Sequence, residues 1–156
     1  MEPFVVAMKV RGDLSLDEIE TFLGTATIPL RIACRTPSEH LWMVSLWFQY
    51  RDGHLYCATS KEADVVRYLD NDGHVAFEVS TNDPPYRGVR GHGSASVTDD
   101  PEKEVLRELL NRYLNGTENP LGRRLLSEER DEVTISIEPT RVFGWDFSDR
   151  KRGSSA

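Results

Sequence analysis

Thr59 and Ser60 close the apolar run HLYCATS at 54–60, and Lys61 begins an amphipathic stretch over 61–71. Two hydroxyls and an ammonium at such a strand-to-helix junction, backed by free amides of a helix N-terminus, suit a phosphate. A plain N-cap followed by a surface lysine is the competing reading. Few other residues could do chemistry. His40, His54, His74 and His92 fall in separate segments and lack ligand spacing such as H-E-x-x-H, so they read as turn or edge-strand residues and no metal site is expected. There is no G-x-S-x-G elbow, and neither Cys34 nor Cys57 sits in a nucleophile motif. GVRGHG at 88–93 imitates a phosphate loop, yet no helix pattern follows it and the Lys-Ser/Thr pair is missing. No residue qualifies as catalytic on these grounds.

The elements that must position these groups centre on LWMVSLWFQY at 41–50, closed by Arg51-Asp52-Gly53 and answered by 54–60. Two extended apolar runs across an Asp-Gly turn predict a β-hairpin. The first strand is apolar on both sides: Trp42, Val44, Leu46, Phe48 and Tyr50 at even positions, and Leu41, Met43 and Trp47 with Ser45 and Gln49 at odd ones. Its second face must therefore be covered by a helix, another subunit or a flat ligand, unless it is a central strand packed on both sides. Further strands are expected at about 30–36, 74–80, 88–97, 133–138 and 141–147, the last two broken by Pro139. Ser15-Leu16-Asp17-Glu18 predicts a capping box, with Leu14 and Ile19 as its staple, for a helix ending at Gly24. Ser60 is expected to cap a helix over 61–71, and Asp100-Pro101 to open the longest helix, ending at Asn115-Gly116. A short helix fits near 120–126. The pattern implies a mainly β, antiparallel barrel of about six to seven strands with peripheral α-helices.

The chain has 156 residues, 38% hydrophobic and 29% charged, with a net charge of −7. That suits one domain over 1–150, with a polar, mobile tail over 151–156. No run approaches the roughly 18 apolar residues of a membrane span. The opening MEPFVVAMKV is too short in its apolar part for a secretory leader. Two cysteines in strand-like runs read as buried thiols of a reducing, cytoplasmic compartment. The negative charge disfavours nucleic acid, including a barrel that would use Tyr86, Arg87, Arg90 and His92. The acidic run at 128–132 reads as a solvated face.

PLRIACRTPSEHLWMVSLWFQYRDGHLYCATS, then HVAFEVSTNDPPYRGVRGHGSASV, then RVFGWDFSDR occur in the order seen in one family. Over most of 29–150 the chain resembles the pyridoxamine 5′-phosphate oxidase-like, FMN-binding split-barrel proteins. The resemblance implies a split β-barrel homodimer with FMN at the subunit interface. It implies that Trp42, Met43, Val44, Ser45, Leu46 and Trp47 line the flavin, and that Ala58, Thr59 and Ser60 touch its phosphate arm. It places Arg87, Gly88 and Trp145 close to positions that enclose the cofactor. Where family members carry a basic pair in the following helix, this chain has Asp64 and Val65, and Lys61, one turn earlier, can substitute, with Arg87 or Arg90. That departure admits a deazaflavin or haem in place of FMN. The resemblance implies a flavin-dependent oxidoreductase acting on an unknown small molecule, or else a flavin carrier or sensor without turnover. Residues recognising pyridoxal or its phosphate are not evident.

Overall fold

Ser15 opens the first helix as its spacing requires. Its Oγ accepts from the Glu18 amide at 3.1 Å, and the Glu18 carboxylate accepts from the Ser15 amide at 2.8 Å. This reciprocal capping box starts helix α1, Leu16–Thr25. In this computed structural model, which describes residues 8–148, α1 follows a short strand β1, Lys9–Gly12. The polar tail expected over 151–156 and the apolar part of the opening segment lie outside the described residues. The remaining elements are β2 Leu30–Arg35, β3 Leu41–Leu46, β4 Gln49–Arg51, β5 His54–Ser60, α2 Asp64–Asn71, β6 His74–Ser80, β7 Arg87–Asp99, α3 Glu104–Leu114, α4 Pro120–Leu125 and β8 Glu132–Asp146.

The strands form one mainly antiparallel sheet in the order β3-β2-β6-β7-β8-β5-β4, with β1 pairing β8 in parallel. This is the split barrel anticipated from sequence, with eight strands. The Asp52-Gly53 turn joins β4 to β5 with both residues at positive φ (52° and 79°), as a tight hairpin demands. Leu30, Ile32, Phe48, Leu55, Val79, Val89, Ile135 and Ile137, none of them solvent-accessible, form the barrel core.

Three local expectations are corrected. The strand read over 41–50 is two strands, with a break at Trp47–Phe48. There the Tyr113 hydroxyl accepts from the Phe48 amide at 3.2 Å and donates to the Ile28 carbonyl at 2.9 Å, taking the place of a neighbouring strand. Upstream of the break the chain pairs with β2, and downstream with β5. Conversely, 133–138 and 141–147 form one strand. Pro139 falls where pairing with β5 has ended and that with β1 has not begun, opposite a bulge at His92/Gly93, so its missing N–H leaves no ladder bond unmade. Finally, α2 begins at Asp64 rather than 61, and Ala63, not Ser60, is its N-cap.

Candidate functional site

Because β3 does not pair with β5 across the break, the barrel has a gap, and α3 and α4 lean over it. The gap is a cleft of about 340 Å³. Ser45, Leu46 and Trp47 line it from β3, and Ala58 and Thr59 from β5. Leu106 and Leu109 of α3 and Leu121 and Leu125 of α4 supply an apolar roof. The Trp47 ring lies parallel to Tyr113, with centroids 5.1 Å apart, so the residue that breaks the strand also fixes one wall.

At the cleft's end stand Arg130 and Glu132. The Glu132 side chain is 1% exposed, and its Oε2 accepts from Arg130 Nη2 at 2.8 Å and Nε at 3.1 Å. Burial raises the carboxyl's pKa above its ordinary range, against the opposing pull of the Arg130 guanidinium. Reading the 128–132 run as a solvated face is thus wrong for Glu132. Its position directly before the alternating buried strand VTISI was the available signal. The α3 leucines were legible as a helix stripe and α4 as a short helix, but their place over the split was not.

The other sequence-selected residues lie elsewhere. Val44 turns with Leu46 toward the core, and Trp42, 39% exposed, meets Tyr68 of α2 edge-on at 5.5 Å. Met43 points to the outer face of the sheet and is 64% exposed. Ser60 ends β5 opposite Glu132, and its Oγ accepts from the Glu62 amide at 3.2 Å within a turn. Lys61 is ion-paired with Asp99 at 3.3 Å and lines an adjoining, acid-rich depression with Asp100, Glu128 and Asp131, which shares Arg130 and Glu132 with the cleft. Arg87, Gly88 and Trp145 stand at the opposite end of the β7–β8 ladder from Ser60, paired Arg87 to Asp146 and Gly88 to Trp145. The Arg87 guanidinium lies 5.6 Å over the Phe22 ring. Within one chain the structure therefore gathers Ser45, Leu46, Trp47, Ala58 and Thr59 and disperses the rest.

Chemically, the cleft offers flat apolar walls, two hydroxyls and one buried carboxyl. These fit the ring of a flavin. Arg130 at the cleft and Lys61 beside it both hold carboxylates. Asp64 pairs with Arg67 at 3.2 Å. Among the described residues no group of three or more His, Cys, Asp or Glu could hold a metal ion.

Comparison with known proteins adds an independent line. The family model described as pyridoxamine 5′-phosphate oxidase matches residues 15–145. Among solved structures, the chain is similar to the conserved hypothetical protein Rv2991 of Mycobacterium tuberculosis, with 20% identity, 96% of each chain covered and a TM-score of 0.75. A protein described as an F420 reductase shares 24% identity over 77% of this chain and 92% of its own, with a TM-score of 0.65. A FAD-binding protein from Mycobacterium smegmatis gives 17% identity, 85% and 96% coverage, and a TM-score of 0.57. At these identities the likeness establishes the fold. No curated protein matches the chain.

Proposed function

The chain belongs to the pyridoxamine 5′-phosphate oxidase family, and from that membership we propose that it binds FMN as a homodimer and acts as a flavin-dependent oxidoreductase on a small molecule. The observation that carries this reading is the cleft at the split: Ser45, Leu46, Trp47, Ala58 and Thr59, selected from sequence as cofactor-facing, line it together. A bound flavin supplies the hydride chemistry. The chain's part is to position and shield it. The α3 and α4 leucines exclude water from the ring. Ser45 and Thr59 offer hydroxyls to its polar edge. Glu132, desolvated and fixed by Arg130, keeps a proton to a higher pH than an exposed carboxyl does.

The second face of β3 supports the dimer. Leu41 and Met43, 78% and 64% exposed, sit side by side on the strand that begins the sheet order. Such a patch favours association. Arg87, Gly88 and Trp145, remote from the cleft of their own chain, would then serve the partner's. We also propose a single domain and, given the buried thiols Cys34 and Cys57, a cytoplasmic setting.

The phosphate end favours a second reading. Lys61 is engaged by Asp99, and the helix that follows begins with an acid. A deazaflavin is the alternative cofactor on this ground, and the likeness to an F420 reductase supports it. Haem is less well served, because none of the four histidines lines the cleft.

Titration of the cofactor-free protein with FMN, followed by flavin fluorescence, tests the proposal. Saturable binding is expected, and Ser45→Trp should weaken it at least about tenfold while the far-ultraviolet dichroism stays native. A variant that keeps full affinity but melts earlier, as overpacking does, would show that this face packs protein and would overturn the site.

A further inference from the structure

The two helices over the cleft are held in different ways. α3 is bolted at both ends. At its start the Asp100 carboxylate accepts from the Glu104 and Val105 amides at 3.0 and 3.1 Å. At its end the Arg112 guanidinium donates to the Leu23, Gly24 and Ala26 carbonyls where α1 closes, and the Tyr113 hydroxyl to the Ile28 carbonyl. Leu106 and Leu109, its part of the roof, are buried.

α4 lacks such fastening. Leu121 and Leu125, which meet the cleft, are only half-buried. Among the described residues, the backbone-to-backbone hydrogen bonds of residues 117–130 all close within that segment. The segment is nevertheless stiff in itself. Asn119 Nδ2 donates to the Gly116 carbonyl at 2.9 Å, and its Oδ1 accepts from the Gly122 amide at 2.7 Å. A Cβ on Gly122 would stand 2.3 Å from the Thr117 carbonyl oxygen, so the turn before α4 is closed tightly on the helix. Asn115 and Gly116, at φ of 61° and 150°, precede the segment, and a turn from Ser127 to Arg130 ends it. A stiff unit between two turns can move as one body.

Apart from Asn119 on the adjoining Gly116, two side-chain contacts tie this unit down. Arg130 grips Glu132, two residues further along the chain. The other is Lys103, which stands directly before α3 and whose ammonium donates to the Ser127 carbonyl. Lys103 is buried, yet it forms no ion pair among the described residues, and lysine is seldom buried unless paired. Its backbone is left-handed, with φ of 56°. A non-glycine residue in that conformation costs free energy, and such residues cluster at clamps and switches.

We infer that residues 117–130 form a lid over the cleft, with α4 as its face and Lys103 as the latch that holds it to the fixed helix α3. Release of the Lys103–Ser127 bond lets α4 lift away from Leu106 and Leu109 and opens the roof to a flat ligand. Closure lays Leu121 and Leu125 over that ligand. The Ser127 carbonyl also accepts from the Arg130 amide at 3.1 Å, so opening strands no acceptor. The lid belongs to the cleft itself and stands whether or not the occupant is a flavin.

Hydrogen–deuterium exchange on the full chain in its native oligomer, free of cofactor, tests the lid. The amides of Gly122, Arg123 and Leu126 should exchange ahead of those of Leu109 and Leu110 in α3, through an opening that leaves the rest folded. Lys103→Met removes the ammonium and keeps an unbranched buried side chain. It should speed α4 exchange about tenfold or more, the scale of a lost hydrogen bond from a charged donor, and leave α3 unchanged. Entry to the cleft is read by labelling Thr59→Cys with dithionitrobenzoate, against buried Cys34 and Cys57. Adding Lys103→Met should accelerate that labelling severalfold. Wild-type α4 exchanging only together with α3 would overturn the inference, and so would Lys103→Met that speeds both helices alike or leaves the labelling rate unchanged. Exchange of α4 that quickens only when the oligomer dissociates would also overturn it, since the partner would then be the fastening.

Discussion

Lys61 and Glu132 show how much a single partner decides. Lys61 can hold a phosphate only by leaving Asp99, an exposed pair of the kind that contributes little to stability. If it does so, Lys61→Ala weakens FMN binding by about 1–3 kcal/mol, the range for a lost charge-assisted hydrogen bond. Asp99→Asn, by freeing the ammonium, strengthens it. Calorimetric affinities unchanged in both variants would move the phosphate to Arg87 or Arg90. Glu132 carries a pH prediction. Its folded pKa is raised by burial, so the folded state bears a penalty for the ionised carboxylate above that value. The penalty lifts as pH falls through the folded pKa toward the unfolded one. Urea denaturation at a descending series of pH values should therefore favour wild type over Glu132→Gln increasingly as the pH drops through the folded pKa. A constant difference between the two would refute the shift. Cys57, wholly buried with its thiol pKa pushed up, should resist alkylation until the protein unfolds.

At the scale of elements, the decisive event is the break at Trp47–Phe48. Tyr113→Phe removes the hydroxyl that bridges the Phe48 amide to the Ile28 carbonyl, and leaves those groups without that partner. A loss of about 1–3 kcal/mol in chemical denaturation is expected. An unchanged midpoint would mean that the break is held by other contacts. Neither the break nor its cause was legible in LWMVSLWFQY, since the residue responsible lies 65 positions away. Features set by neighbours in sequence fared better. The capping box at Ser15, the Asp52-Gly53 turn and the helix end at Asn115, in left-handed conformation, stand where local chemistry places them. The start of α3 did not, because the Asp100 carboxylate reaches past Pro101 to cap the amides of Glu104 and Val105. Pro139 likewise broke a strand on paper that register allows to continue. The candidate cleft was half legible: its strand residues came from family resemblance, whereas Arg130, Glu132 and the helix leucines converge only through tertiary structure.

For the whole molecule, the account rests on two linked claims, a dimer and a flavin. Leu41 and Met43 on the outermost strand give the first its test. Sedimentation should show a dimer at micromolar concentration, and Met43→Glu should shift it toward monomer by placing a charge in an apolar contact. A monomer throughout would leave Arg87, Gly88 and Trp145 without a cleft to complete. The flavin claim is tested most directly by the visible absorption spectrum of the protein purified without added cofactor and then titrated with FMN. The account predicts the two-banded absorption of oxidised flavin, present at isolation or acquired to one equivalent per chain, and lost with Ser45→Trp. A colourless protein that takes up no FMN at any concentration would contradict it.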